Sequence, residues 1–281
     1  MHMDQIAHIV IFMFVDRRLM LRRAGQVALI CGVSAVTARS SAMPTAAPPA
    51  PARPAPPTVR WVVDQPAIVA RADWDTSGSH AHLPPPQYAN AVKAVFVHHT
   101  DSGNDYLPDE VPSIISNIDG DQTGRRGWDD IGYNFLVDRF GTVYEGRKGG
   151  IDKPVVGAHT SGFNLDTAGI AAIGSFDSGA AVPQAMLDSI AHLAAWKLGL
   201  HAVDAHASAT LICSSPLSRF RLGSEASFSA VSGHRDADCT FCPGSSLYTS
   251  LTAIRDQAVD IQRRARQIGP VAEESGVAGI R

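Results

Sequence analysis

Residues 133–145 read YNFLVDRFGTVYE. Two β-prone runs, Tyr133–Val137 and Thr142–Glu145, flank the turn-forming segment Asp138–Gly141, so this stretch predicts a hairpin. Upstream, Ala94–Val97 is a short apolar run that ends in His98-His99-Thr100, the pattern of a buried strand with polar groups at its tip. Downstream, Gly169–Ile173 predicts another buried strand. Val111–Ile118 predicts a short helix. Pro183 opens a longer one, with apolar residues at Met186, Leu187, Ile190, Leu193, Ala194 and Leu198, and Gly199 is placed to end it. After Pro243-Gly244, Leu247, Leu251, Ile254, Ala258 and Ile261 recur at helical spacing, with Arg255, Asp256, Asp260, Arg263 and Arg264 on the solvated face. Strands and helices interleave. This predicts an α/β class with a single layered domain, a central mixed β-sheet flanked by α-helices. Residues 202–231 alternate irregularly and predict an extra loop or hairpin carrying Cys213.

The 281-residue chain has a formal net charge of −3, so its field does not favour nucleic acid. Residues 1–42 predict an export signal: Arg17, Arg18, Arg22 and Arg23 precede the apolar run Ala24–Val36. Small-residue cleavage sites follow at Val36-Thr37-Ala38 and Ser40-Ser41-Ala42. The run is too short to span a bilayer comfortably, so no stable membrane span is expected in the mature chain. Asp16–Arg22 also resembles a twin-arginine signal, and Met13 and Met20 are alternative starts. The bulky Ile30 before Cys31 argues against a lipoprotein site. Residues 43–60 predict a Pro/Ala-rich linker, 61–265 the folded domain and 266–281 a flexible tail.

Residues 233–244, GHRDADCTFCPG, place His234 and Cys242 before a Pro-Gly turn. With His98 and His99 at a strand tip, imidazole and thiolate donors accumulate, the types that Zn²⁺ prefers. Residue types alone leave two readings open: a metal site, or histidines and a small apolar cysteine that serve the scaffold. Loss of the signal leaves Cys213, Cys239 and Cys242, an odd count. If Cys242 holds metal, Cys213 and Cys239 form either a disulfide or two free thiols. No H-E-x-x-H protease motif is present.

FVHHT (96–100), GWDDIGYNFLVDRFGTVYEGR (127–147), VGAHTSGFN (156–164), GIAAIGSF (169–176) and GHRDADCTFCPG occur in that order. Together they resemble the type 2 N-acetylmuramoyl-L-alanine amidase family, which includes peptidoglycan recognition proteins. Arg71-Ala72-Asp73-Trp74 is similar to the opening of the recognition-protein branch, and the hairpin stretch is most similar to actinobacterial members. The resemblance covers about residues 68–255. It implies zinc held by His98, His234 and Cys242, with Tyr133 and Thr240 assisting catalysis. It places His159 and Asn164 against the stem peptide of peptidoglycan or a muropeptide, with His99 and Thr100 lining the same groove. Non-catalytic members typically lack the cysteine, so Cys242 implies a zinc amidase rather than a module that only binds muropeptide. A monomer is expected.

Other residues carry two readings. Asp236 either orients His234 or serves the turn. Arg147 either meets a peptide carboxylate or pairs with a neighbouring acid. Trp74, Trp128 and Trp196 read as packing residues. Residues 116–126 and the insert before Ser232 depart from the family pattern, and both are placed to shape substrate choice.

Overall fold

The hairpin seen in the sequence is the middle of a six-stranded mixed sheet. The structure, a computed structural model, describes residues 59–75 and 83–268. Among the described residues the strands are β1 (Val59–Trp61), β2 (Ile68–Val69), β3 (Ala94–His99), β4 (Phe135–Val137), β5 (Val143–Glu145), β6 (Thr167–Ala172), β7 (Ser208–Ile212), β8 (Glu225–Ser229), β9 (Val231–Gly233) and β10 (Arg266–Ile268). The main sheet has the order β2-β5-β4-β6-β3-β9. Only the β4–β5 hairpin pairs antiparallel in it. The others pair parallel, so the carboxyl ends of β6, β3 and β9 lie along one edge.

Alternation along the strands divides the apolar residues between two faces. Val95, Val97, Phe135, Val137, Ile170 and Ala172 belong to the core that includes the long helices α3 (Gln184–Gly199) and α5 (Ser245–Arg264). Leu136, Tyr144 and Ala171 instead meet Val111 and Ile115 of α2 (Val111–Gly120). Ala94 and Phe96 meet Leu211 and Phe228 of a separate β7–β8 hairpin. One face is thus covered by α3 and α5. The other is shared by α2 and the β7–β8 hairpin, with the end of β3 between them.

The helices follow their sequence signals. Pro183 is the N-cap of α3, with extended backbone, so the ring ends the preceding loop and its missing N–H costs nothing. Gly244 precedes α5 with φ +84°, and a Cβ there would lie 2.2 Å from the Phe176 carbonyl oxygen. Only glycine fits that approach.

Two buried charges tie distant segments together. Arg71 of the short helix α1 (Arg71–Trp74) meets Asp130 at 2.5 Å, Asp119 at 3.0 Å and Asp75 at 3.6 Å, and donates to the Gly146 carbonyl at 2.9 Å. Lys197 of α3 donates to the carbonyls of Ile151 and Lys153 at 2.6 and 2.7 Å. Burial pulls its ammonium down to about 8.

Several expectations need correction. β1 pairs antiparallel with β10, so the expected linker (43–60) and tail (266–281) each contribute to a strand. Their pairing joins residues about two hundred positions apart, which local composition does not encode. The expected export signal (1–42) lies outside the described residues, as do most of the linker and tail. Cys213 and Cys239 are both free, not bridged. The Cys213 thiol is buried under the hairpin loop and meets the carbonyls of Ser215 and Phe220, whereas Cys239 is exposed. Trp74 and Trp196 are buried as expected, but Trp128 is 36% exposed. Among the described residues, no helix is long and apolar enough to cross a membrane.

Candidate metal centre

Parallel register brings the two distant histidines together. Val97 of β3 lies opposite Gly233 of β9, and the next residue on each strand is a histidine, His98 and His234. His98 is the last residue but one of β3, whereas His234 opens the one-turn helix α4 (His234–Ala237). Neighbouring residues of a strand point to opposite faces, so only one of His98 and His99 can face the α2 side. His98 does. His99 turns away, and its Nδ1 accepts from the Phe176 N–H at 3.3 Å.

The loop after α4 returns Cys242 to this point. The Arg235 N–H donates to the Cys242 carbonyl at 3.0 Å, closing the loop. The Cys242 thiol accepts from the His99 N–H at 3.3 Å and lies 3.7 Å from His98 Nδ1. One donor atom each from His98, His234 and Cys242 fall within 4.8 Å of one another, and this is the metal-compatible cluster found among the described residues. The donor set fits Zn²⁺ chemically. It also fits by default of other partners: His234 Nε2 is buried with no hydrogen bond, and the nearest acid oxygen, on Asp238, is 3.6 Å away.

Electrostatics keep the imidazoles neutral, the form that binds metal. Burial lowers the His98 pKa well below its ordinary value, and the neighbouring His234, His159 and His99 lower it further. Burial also lowers His234, opposed by Asp238, and lowers His99, opposed by Asp101 and Asp177. Burial pushes the Cys242 thiol up to about 12, against the pull of the His99 N–H and Arg235. That thiol keeps its proton until a cation lies beside it.

The remaining residues named from the sequence divide by position. Tyr133 lies beside His98, ring centroids 5.3 Å apart, and burial raises its phenol pKa above the ordinary range. His159 is buried; its Nδ1 is 3.2 Å from His98 Nε2 and 2.9 Å from the Thr160 hydroxyl. Burial takes its pKa down to about 3. The Asn164 side-chain oxygen accepts from the N–H groups of His159 and Thr160 at 2.8 and 2.9 Å, so it shapes the loop that presents His159. The Thr240 hydroxyl accepts from the Cys242 N–H at 3.2 Å. Tyr133, His159 and His234 line a cavity of about 610 Å³ with Ile114, Gln122 and Trp128. His99, Thr240 and Cys242 line another of about 450 Å³. His234 borders the first cavity and Cys242 the second, and Tyr133 and Thr240 line different ones.

Asp236 serves the turn. Its carboxylate accepts from the Gly233 N–H at 2.8 Å and from the Tyr248 hydroxyl at 2.5 Å. The acid facing His234 is Asp238, which sequence reasoning missed although it stands four residues on, one helical turn away. Arg147 donates to the carbonyls of Ile131 and Asp130 at 2.9 and 3.0 Å. The segment 116–126 continues α2 into a wider turn, Asp121–Arg125, that forms one wall of the larger cavity. Arg126 lies over the exposed Trp128 ring at 5.6 Å on that wall.

Two imidazoles and one thiol converge at the carboxyl edge of a mixed sheet, beside an open cavity, as a group that could hold a metal ion. Comparison with known proteins supplies the lineage. Residues 88–245 match the family model described as N-acetylmuramoyl-L-alanine amidase. The chain is 28% identical to peptidoglycan-recognition protein SC2 of Drosophila melanogaster over 186 residues, 66% of this chain and 84% of that one. It is also 28% identical to an N-acetylmuramoyl-L-alanine amidase of Mus musculus over 193 residues, 66% of this chain but 30% of the mouse protein. The solved structure of bumblebee PGRP-SA superposes with a TM-score of 0.52 and 26% identity, covering 67% of this chain and 95% of that one. This chain therefore belongs to the N-acetylmuramoyl-L-alanine amidase family, whose fold it shares with peptidoglycan-recognition proteins.

Proposed function

We propose that this chain is a zinc-dependent amidase that hydrolyses the bond between N-acetylmuramic acid and L-alanine in peptidoglycan. One observation carries the reading: His98, His234 and Cys242 bring their donors within 4.8 Å, beside a cavity large enough for a peptide. A protein that only binds muropeptide does not need that donor set. When bound, zinc supplies Lewis-acid polarisation of a carbonyl and a nucleophile at neutral pH. Tyr133, kept protonated by burial, donates a hydrogen bond to the oxyanion that develops on the amide. Thr240 accepts from the Cys242 amide and keeps its own hydroxyl proton for the cavity it lines. His159 holds the far nitrogen of His98 and so its ring orientation. The stem peptide lies in the cavity bounded by α2 and Trp128, over His159. His99 lines the cavity beside Cys242, and Asn164 acts through the loop it shapes.

The basic and apolar segments at Arg17–Val36 support export, so the substrate is wall or wall fragments outside the cytoplasm. The donor set is complete within one chain, so the proposed chemistry requires no second copy. The test is digestion of muropeptides by the purified chain, read by fragment mass. Free stem peptide is expected, lost on chelation and regained with Zn²⁺. A folded, zinc-replete protein that binds muropeptide without product selects the recognition reading. Cuts between stem amino acids select a peptidase.

A further inference from the structure

The β7–β8 hairpin contributes nothing to the donor cluster, yet it touches both loops that hold it. Its inward-facing Leu211 and Phe228 share an apolar core with Phe96, Phe163 and Ala237. Each of those three sits in a segment that bears a site residue. Phe96 precedes His98 on the same face of β3, Phe163 lies in the loop after His159, and Ala237 is in α4, between His234 and Cys242. The Phe228 ring meets Phe96 and Phe163 edge-on at 5.3 and 4.9 Å. Phe220, in the hairpin's own loop, meets Phe163 and Phe228 at 5.4 and 5.7 Å.

Polar contacts follow the same lines. The Ser214 N–H donates to the Gly162 carbonyl at 2.8 Å, in the His159 loop. The Ser218 hydroxyl donates to the Ala237 carbonyl at 3.3 Å, and the Arg219 guanidinium to the Arg235 carbonyl at 3.2 Å. α4 is a single turn, so its carbonyls lack most intrahelical donors.

We propose that the β7–β8 hairpin is a positioning element for the metal centre: Ser218 and Arg219 tie it to α4, Phe220 packs it through Phe163 and Phe228 onto the core that holds Ala237, and the spacing of His234 from Cys242 is fixed with them. It touches neither metal nor substrate. The proposal rests on the metal-site reading above and deepens it, because it assigns a role to an insert that the shared chemistry does not require.

The test uses the full chain with two variants, Ser218→Ala/Arg219→Ala and Phe220→Ala. Three readouts are taken: Zn²⁺ affinity by competition with a chromophoric chelator, the visible bands of the Co²⁺-substituted protein, and hydrogen exchange of the metal-free chain. Both variants are expected to bind Zn²⁺ about tenfold more weakly or worse, in the range for groups that orient metal ligands. The Co²⁺ bands shift, and exchange rises across 234–242 but not across α3. Phe220→Leu restores the affinity. Leu217→Ser, 83% exposed on the outer side of the same loop, leaves it within twofold. Folded variants with Zn²⁺ affinity within twofold of the unaltered chain and unshifted Co²⁺ bands overturn the proposal. If the unaltered chain takes up no metal, the zinc reading fails, and unchanged exchange across 234–242 then overturns the positioning role separately.

Discussion

Cys242 and Cys239 stand three positions apart and have different surroundings. Cys242 accepts a backbone N–H and faces His98, whereas Cys239 is exposed. Cys242→Ser is therefore expected to lose zinc and activity together, since a hydroxyl is a far poorer zinc ligand than a thiolate. Cys239→Ser keeps both. Metal content by atomic emission, measured beside muropeptide turnover, checks the pair, and metal loss in Cys239→Ser would show the wrong cysteine has been assigned. Tyr133→Phe removes the phenol proposed to donate to the developing oxyanion. A fall in kcat of about 10²- to 10³-fold with little change in KM is expected, and an equal rise in KM with kcat intact would make Tyr133 a binding residue instead. At this scale the sequence named, where the family motifs are dense, residues that the structure places together: His98, His234 and Cys242, with Tyr133 beside His98. Asp238 was missed because Asp236 is nearer in sequence to His234, while the turn sends the Asp236 carboxylate back to Gly233 and Tyr248.

Elements meet through buried ions that no periodicity announces. Arg71 is 3% exposed and faces three carboxylates from three segments. Breaking such a cluster leaves buried acid without its counter-charge. Arg71→Leu is expected to cost roughly 3–5 kcal/mol in urea unfolding, and a loss under 1 kcal/mol would mean that the carboxylates find water instead. The β4–β5 hairpin, α3 and α5 were readable because their signals lie within one turn or one pleat. The β1–β10 pair was not, since the register that joins Arg60 to Gln267 has no local signal. Trp128 was misread for a related reason. A large aromatic ring reads as core by its size, but Trp128 stands between Arg125-Arg126 and Asp129-Asp130, and the cavity wall built by Asp121–Arg125 leaves its face open.

The molecule as a whole carries a pH-dependent term at Lys197. Its pKa in the native chain is about 8, against an ordinary value of 10.5. Below pH 8 both native and unfolded chains hold the proton, and the penalty for burying the ammonium is complete. Between about 8 and 10.5 the unfolded chain keeps a proton that the native chain has released, so stability rises with pH. The slope is at most roughly 1.4 kcal/mol per pH unit. Urea unfolding of the wild type and Lys197→Met from pH 7.5 to 10 isolates the effect, which the variant should lack. Parallel slopes would place the amine in water rather than against Phe135 and Trp196, whose rings it overlies at 5.5 Å.

The register that sets His98 beside His234 has a consequence for assembly in time. Inter-strand spacing is about 4.8 Å, close to the reach over which the three donors converge. None of the three apolar cores includes a donor residue. The receptacle is thus complete once the sheet has paired and the loop after α4 has closed on it, and metallation becomes a late, separable event. The chain can then fold empty and take up its ion afterwards. A chelated sample should keep its far-ultraviolet circular dichroism and cooperative melt, and collapse of either would make the ion a partner in folding itself.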